Sequence, residues 1–486
     1  MDFVLRYRVV PLREDGESVV VATGEPERYR ELDELERNLG RPLRIEVAAP
    51  SQIDEILSRN GTSSFLLDKA SEELKLEIVS DTESEGDLEA TAATSSPIIK
   101  LVHSLLVNGI ERRASDIHVE TKEDQVLLKH RIDGVLYPAM EPVDRQHHST
   151  IVSRLKVMAE LDVAEKRVPQ DGRFKLKIRG RPIDFRVSIM PSIYGEDVVI
   201  RILDKESISE QFSDLRLDVL GFPEGELKRF RKFIREPYGM VLVTGPTGSG
   251  KTTTLYAALS EIATPEEKIV TIEDPVEYRI RHITQVPVNE KKGLTFARGL
   301  RSILRHDPDT IMVGEVRDAE TAQIAVQAAL TGHLVFTTVH ANNAFDVIGR
   351  FLHMNVEPYN FVSALNCVMA QRLVRTVCDG CRERIEIDSE ALDLSSLKDA
   401  DRKRVFFAGR GCYQCQGTGF RGRTAVCELL SLNDRLRQLI LDKRSASELK
   451  AAAKEEGMIS MREHALEKVF AGATTLADVN KVTFVD

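Results

Sequence analysis

The segment GPTGSGKT, Gly245–Thr252, constrains this chain more than any other. It fits the spacing GxxxxGK[ST] and stands between an apolar run, MVLVTG, and a helical pattern, TTTLYAALSEI. A strand that passes through a glycine-rich turn into a helix makes a phosphate cradle. Glycines let the turn close tightly and aim backbone N–H groups at phosphate oxygens. The helix that follows adds the positive end of its dipole. Gly245, Pro246, Thr247, Gly248, Ser249, Gly250, Lys251, Thr252 and Thr253 are therefore the expected nucleotide contacts. Lys251 is expected at the β- and γ-phosphates, and the Thr252 hydroxyl at Mg²⁺.

The neighbouring runs IVTIED, TIMVGE and HLVFTTVH read as strands, and AETAQIAVQAAL as a helix. Apolar strands alternating with helices predict an α/β unit around a mainly parallel sheet. Hydrolysis of a bound nucleotide needs carboxylates for the metal and a group that positions water. Glu315 ends TIMVGE, which places it at the carboxyl edge of the sheet beside the loop. The position before it is Gly314, where many P-loop enzymes carry Asp. Glu273 and Asp274, ending IVTIED, are expected to take over part of that metal support. His333 and His340 flank HLVFTTVH. His340 falls at the carboxyl end, where α/β sheets bind ligands, and is the expected phosphate contact; His333 stays open.

The chain has 486 residues, enough for roughly three domains at about 150 each. Apolar residues make up 42% and charged residues 30%, which fits a soluble globular protein and excludes a wholly disordered or collagen-like one. No stretch approaches the ~20 apolar residues that span a bilayer. The opening, MDFVLRYRVVPLRED, lacks the uninterrupted apolar core of a secretory signal, so a cytoplasmic location is expected. With 67 basic and 77 acidic residues the net charge is −10, which disfavours non-specific nucleic-acid binding.

The pattern along the chain divides it further. Residues 1–80 read as a small α/β unit without a catalytic pattern. VVVAT reads as a strand, ERYRELDELERNLG as a helix stopping at Gly40, and PSQIDEILSRN as a second helix. Residues 81–97, DTESEGDLEATAATSSP, are too poor in large apolar side chains to fold alone and read as an acidic linker. Residues 98–205 read as an α+β domain: one helical run, PIIKLVHSLLVNGI, then alternating runs such as DIHVE, FKLKIRGRPIDFRVS and DVVIRIL. A connection, 206–222, leads to the P-loop domain, 223–375. Residues 376–427 hold two cysteine pairs, and 428–486 are charged and helical in pattern.

Those pairs, CDGC (Cys378, Cys381) and CYQC (Cys412, Cys415), stand 30 residues apart. In a cytoplasmic chain paired CxxC units point to a metal rather than to disulfides. Four thiolates can close a tetrahedron around Zn²⁺, which makes a structural and not a catalytic site. Cys367 and Cys427 fit no ligand pattern and are expected to be buried apolar residues.

From ASDIHVE through HRIDGVL, VPQDGRF, IDFRVSIMP, GEDVVIRILDK, TIEDPVEY, TFARGLRSILRHDPDTIMVGEVRDAETAQIAVQAALTGHLVFTTVHAN and AQRLVR, the chain resembles the bacterial secretion ATPases. The likeness is strongest to the traffic ATPase of type II secretion, and it extends to the motors of type IV pili. It covers about residues 97–486. The resemblance implies a RecA-like ATPase domain preceded by a PAS-like α+β domain, with ATP between them, Mg²⁺ and Zn²⁺ as cofactors, and a homo-hexamer. It makes TIEDPVEY the aspartate box, Glu315 the Walker B glutamate next to a normal Gly314, and His333 and His340 part of a histidine box. It assigns Arg186 and Arg201 to the phosphates, with Arg301, Arg305 and Arg317 as weaker candidates. Residues 1–80 would dock on an inner-membrane platform protein and so recruit the motor to the inner face of the bacterial inner membrane. The expected function is ATP-driven pseudopilus assembly for protein export. Pilus assembly, or a nucleotide-gated scaffold without turnover, are the alternatives.

Overall fold

The computed structural model describes residues 7, 9–16, 18–50, 52–53, 77–78, 97–178, 181–204, 215–397 and 399–484. The expected linker 81–97 lies outside them except for Pro97, as do residues 206–214 of the second connection and most of PSQIDEILSRN. By its internal contacts the chain divides into two compact units, Met1–Glu206 and Ser207–Asp486.

The first unit contains two sheets. β1 (Val9–Asp15) and β2 (Ser18–Thr23) form an antiparallel pair, and β3 (Leu43–Val47) lies parallel to β2 after the crossover helix α1 (Tyr29–Leu39). α1 stops at Gly40, which takes the left-handed conformation and donates its N–H to Glu36 O. Leu32 and Leu35 of the helix pack on Tyr7, Val9 and Val21.

The larger sheet has eight strands in the order β4-β9-β10-β11-β5-β6-β7, with β8 paired to β6. They are β4 (Glu77–Ile78), β5 (Asp116–Thr121), β6 (Gln125–Ile132), β7 (Val135–Pro138), β8 (Val143–Asp144), β9 (Gln170–Ile178), β10 (Arg181–Ser192) and β11 (Gly195–Leu203). Every pairing is antiparallel. One face is apolar, since Ile183, Phe185, Val187 and Ile189 alternate along β10 at period two. That face packs with α2 (Pro97–Glu111) and α3 (His148–Met158). Phe174 and Phe185 stack there at 4.8 Å. The register sets a charged row on the other face: Arg173, Arg186, Arg201, Asp116 and Arg131 are successive cross-strand partners.

The second unit is built on a seven-stranded sheet of order β14-β13-β15-β16-β12-β17-β20. The strands are β12 (Gly239–Thr244), β13 (Ile269–Glu273), β14 (Ile283–Pro287), β15 (Thr310–Val313), β16 (Leu334–Val339), β17 (Leu365–Val377) and β20 (Phe420–Ser431). The first six run parallel, and β20 returns antiparallel to β17. Every residue of β12, β13, β15 and β16 is buried, as strands covered on both faces must be. The covering helices are α4 (Glu224–Phe233), α5 (Lys251–Ile262), α6 (Phe296–Ile303), α7 (Ala319–Leu330), α8 (Asp346–His353) and α9 (Pro358–Ala364).

Sequence reading found four of these strands and missed β14, β17 and β20. The last two matter most. β17 runs past residue 375 and leads straight into Cys378, and β20 begins five residues after Cys415. The cysteine segment is thus an excursion between two paired strands of the seven-stranded sheet. It carries a small hairpin, β18 (Arg382–Ile385) with β19 (Phe406–Gly409), and two short helices, α10 (Ser389–Leu394) and α11 (Asp399–Arg402). The C-terminal region is helical as expected: α12 (Asp434–Leu441), α13 (Ala446–Glu455), α14 (Met461–Phe470) and α15 (Leu476–Val482). Capping boxes open α13 (Ser445 with Glu448) and α14 (Ser460 with Glu463). Asp478 of α15 pairs with Arg375 of β17 at 2.5 Å, both largely buried. No helix among the described residues is long and apolar enough to cross a membrane.

Candidate functional site

All six parallel strands of the second unit end on one edge, and the P-loop leaves β12 there. Gly245, Gly248 and Gly250 take positive φ angles, which side chains would strain. At Gly245 space is also decisive: a Cβ would lie 2.5 Å from Gln371 O and 2.6 Å from Ser249 Oγ. Gly250 caps α5, so the amide groups of the helix start face the loop. Lys251 folds over the loop and donates to Gly245 O and Pro246 O, each at 3.0 Å. Burial pushes its ammonium below the usual lysine range, and nearby Arg372 adds to this while Glu315 opposes it. Ser249 Oγ is buried with no hydrogen-bond partner among the described residues, as suits a loop shaped around an anion. Thr252 and Thr253 follow in the first turn of α5, partly exposed.

Glu315 lies just beyond β15, on the same edge. Its carboxylate meets the guanidinium of Arg317, and His340 Nε2 lies 3.5 Å away. Salt bridging to Glu315 holds Arg317 above its usual pKa. His340 follows β16 directly and is half exposed. Thr244, Val339 and Ala341 knit the two strand ends together: the Thr244 hydroxyl donates to Val339 O at 2.8 Å and accepts from Ala341 N at 3.0 Å. Gly314 has a steric reason of its own. A Cβ there would stand 3.2 Å from Ile272 O and 3.3 Å from Glu273 Cα, too close for ordinary contact.

Glu273 differs from its expected place. Instead of opening to the loop, its carboxylate is buried at 3% exposure and held by the Tyr256 hydroxyl, the Thr271 hydroxyl and Gln285 Nε2, the last at 3.2 Å. Burial, together with the nearby carboxylate, raises the Tyr256 phenol far above its usual value. Asp274, the next residue, is exposed. His333 stands at the opposite edge of the sheet from His340, before β16, where its Nδ1 lies 3.0 Å from Ala328 O. The six strand residues between the histidines, seven steps along the chain, separate them by about 23 Å. Arg301 pairs with Glu320 at 2.5 Å, both exposed, and Arg305 donates to Arg301 O. In the first unit Arg186 and Arg201 are direct cross-strand partners and exposed, and Arg201 pairs with Asp116 at 3.0 Å.

The sequence reading did not single out Gln371 or Arg372. Gln371 is buried beneath the P-loop, and Arg372 is half-buried beside it, donating to Asn342 O at 3.0 Å. A polar pair inside the apolar strand run LNCVMAQRLV is the signal that could have found them.

Cys378, Cys381, Cys412 and Cys415 come together, all four sulfurs within 4.8 Å of one another. The pairs 378–412 and 381–415 are 3.8 Å apart, and 412–415 are 3.7 Å apart. A tetrahedron with Zn–S bonds of ~2.3 Å has edges of about 3.8 Å, so the cluster fits zinc. Burial alone would raise the Cys415 thiol, but the N–H groups of Cys412 (3.1 Å) and Gly419 (3.3 Å) outweigh it and bring the thiol down to about 6. Cys367 and Cys427 are fully buried and burial pushes both thiols up, so they behave as apolar residues.

A family described as Type II/IV secretion system protein matches residues 91–481, and the MshEN domain matches residues 1–64. The Type IV pilus assembly ATPase PilB of Myxococcus xanthus is 43% identical over 484 residues, 98% of this chain and 84% of that protein. The Type II secretion system protein E of Dickeya dadantii is 49% identical over 389 residues, 80% of this chain and 76% of that protein. The crystal structure of the pilus retraction motor PilT with bound ADP aligns at a TM-score of 0.50 and 27% identity, covering 78% of this chain and 96% of that one.

Proposed function

Because the chain belongs to the type II/IV secretion system protein family, we propose that it is the ATPase that powers a type II secretion machine, turning ATP hydrolysis into pseudopilus assembly and protein export. The observation that carries the reading is Glu315 at the carboxyl edge of the sheet, between Arg317 and His340 and within electrostatic reach of the P-loop lysine.

In this reading the phosphates lie on the N–H groups of residues 246–252 and at the start of α5. Lys251 exchanges the Gly245 and Pro246 carbonyls for phosphate oxygens. Thr252 and Asp274 would hold Mg²⁺, which would supply positive charge to the phosphates. Glu315 orients the attacking water and takes its proton, and His340 contacts the γ-phosphate. Glu273, with three partners in a buried wall, suits a positioning role better than proton transfer. Arg186 and Arg201 are proposed as phosphate contacts on the ground of the resemblance alone. Zn²⁺ would be held by Cys378, Cys381, Cys412 and Cys415 as a structural ion. The working form is a homo-hexamer, recruited by residues 1–80 to a platform at the inner face of the inner membrane.

Glu315→Gln tests the chemistry. Nucleotide affinity should persist while turnover falls by about 10² or more; unchanged turnover would sink the assignment. A pilus assembly ATPase is the second reading, since the Myxococcus relative of that name is 43% identical over 98% of the chain. Co-purification from the native membrane, with the full chain and a form lacking residues 1–80 as baits, separates the two by the platform protein captured.

A further inference from the structure

Gln371 lies in β17 at the point where the strand passes beneath the P-loop, next to Ala370, the partner of Thr244 in β12. Its side chain is 1% exposed, and both ends of the amide are bound. Nε2 donates to Ser249 O at 2.6 Å, and Oε1 accepts from the Thr254 hydroxyl at 2.8 Å. The two partners fix the orientation of the amide, since a carbonyl oxygen requires a donor. Ser249 belongs to the loop, and Thr254 to the first turn of α5. One side chain therefore ties both limbs of the phosphate cradle to a strand of the core. The fit leaves no slack: a Cβ on Gly250 would lie 3.1 Å from Gln371 Nε2.

The geometry has a chemical consequence. In a trans peptide the carbonyl and the following N–H point to opposite sides. With Ser249 O drawn down onto Gln371, the Gly250 N–H is turned the other way, toward the open side of the loop. The Thr254 bond fixes the helix turn that carries Thr252 two residues earlier. A buried amide in an apolar strand is costly unless both its ends are bonded, and here both bonds go to the cradle.

We propose that Gln371 is a positioning residue for the nucleotide: it holds the Ser249–Gly250 peptide and the start of α5 in the shape that receives phosphate. The proposal rests on the P-loop being the nucleotide site. The test uses the full chain and measures the dissociation constant for a fluorescent Mg·ADP analogue, with the melting temperature of the nucleotide-free protein alongside. Gln371→Met keeps the volume and removes both bonds, and should weaken binding about tenfold at temperatures where the variant is folded. Thr254→Val removes only the second bond and should change affinity less than threefold. Gln371→Glu, which keeps the acceptor but not the ionised-state donor, carries the same expectation as Gln371→Met should that variant fail to fold. A brace that merely stabilised the fold would lower the melting temperature and leave the affinity of the folded protein alone. Affinity within twofold of the parent in Gln371→Met, or in Gln371→Glu if that is the variant that folds, overturns the proposal, provided that Lys251→Ala loses binding. If Lys251→Ala also binds normally, the nucleotide reading of the loop fails instead.

Discussion

The Tyr256 hydroxyl donates to the Glu273 carboxylate, linking α5, the helix that starts at the P-loop, to the end of β13. Thr271 and Gln285 complete the shell around that carboxylate. Tyr256→Phe removes one of three donors from a buried charge and is expected to cost about 1–3 kcal/mol. Urea unfolding should record that loss, while nucleotide affinity of the folded variant stays within about twofold. A variant as stable as the parent would show that the wall does not depend on this bond.

In the first unit Lys156 and Glu196 form an ion pair at 2.7 Å with almost no exposure. Removing one member leaves the other charged and buried. Lys156→Met should therefore destabilise the chain by roughly 3–5 kcal/mol, and adding Glu196→Gln should recover much of it. Denaturant midpoints of the two variants decide the matter, and equal midpoints would contradict the pair's isolation from water.

Acid sensitivity should come from two buried histidines and one half-buried one. Burial pulls His103, His130 and His464 down from 6.5 to about 4, helped by Arg154, Arg112 and Lys468 respectively. A group with a lowered folded pKa binds fewer protons folded than unfolded. Its contribution is whole above about 6.5 and drains away as pH falls toward 4. Each histidine can account for roughly 3 kcal/mol across that window, at 1.36 kcal/mol per unit. Stability measured from pH 7 to 4 should fall in this interval, and His103→Gln should flatten the slope. A flat profile in the parent would rule the account out.

Metal removal should act locally first. Between the two cysteine pairs the described residues form a two-stranded hairpin and two short helices, and a bound ion would staple the two ends of this excursion together. We expect about one zinc per chain by elemental analysis, and less than a tenth of that in Cys381→Ser. Chelation should open residues 382–411 to limited proteolysis before the sheet unfolds. Cleavage there at the same rate with and without chelator would refute a structural ion.

Much of the second unit was legible in the sequence because its central strands are short apolar runs between turn signals. β14 was not, since ITQVP is an edge strand and only half-buried. β17 hid because Asn366, Gln371, Arg372 and Arg375 interrupt its apolar run, and each of them has a hydrogen-bond partner. β20 hid because its first residues, Phe420–Arg423, are largely exposed and charged before the strand turns apolar. The P-loop and the cysteine knuckles could be read from spacing alone, since their chemistry is local. The burial of Glu273 could not: Tyr256 and Gln285 reach it from other elements. The two histidines of the TGHLVFTTVHAN run were separable in advance only by the direction of the strand between them.

β17 joins two chemistries with one piece of backbone. Gln371 touches the P-loop, and seven residues on, about 23 Å along an extended strand, Cys378 begins the cysteine cluster. Between them the strand is laced to β20, with a single irregularity at Arg375–Val377. The P-loop and the cysteine knuckles therefore stand on one continuous strand, and the distance between them is set by its length.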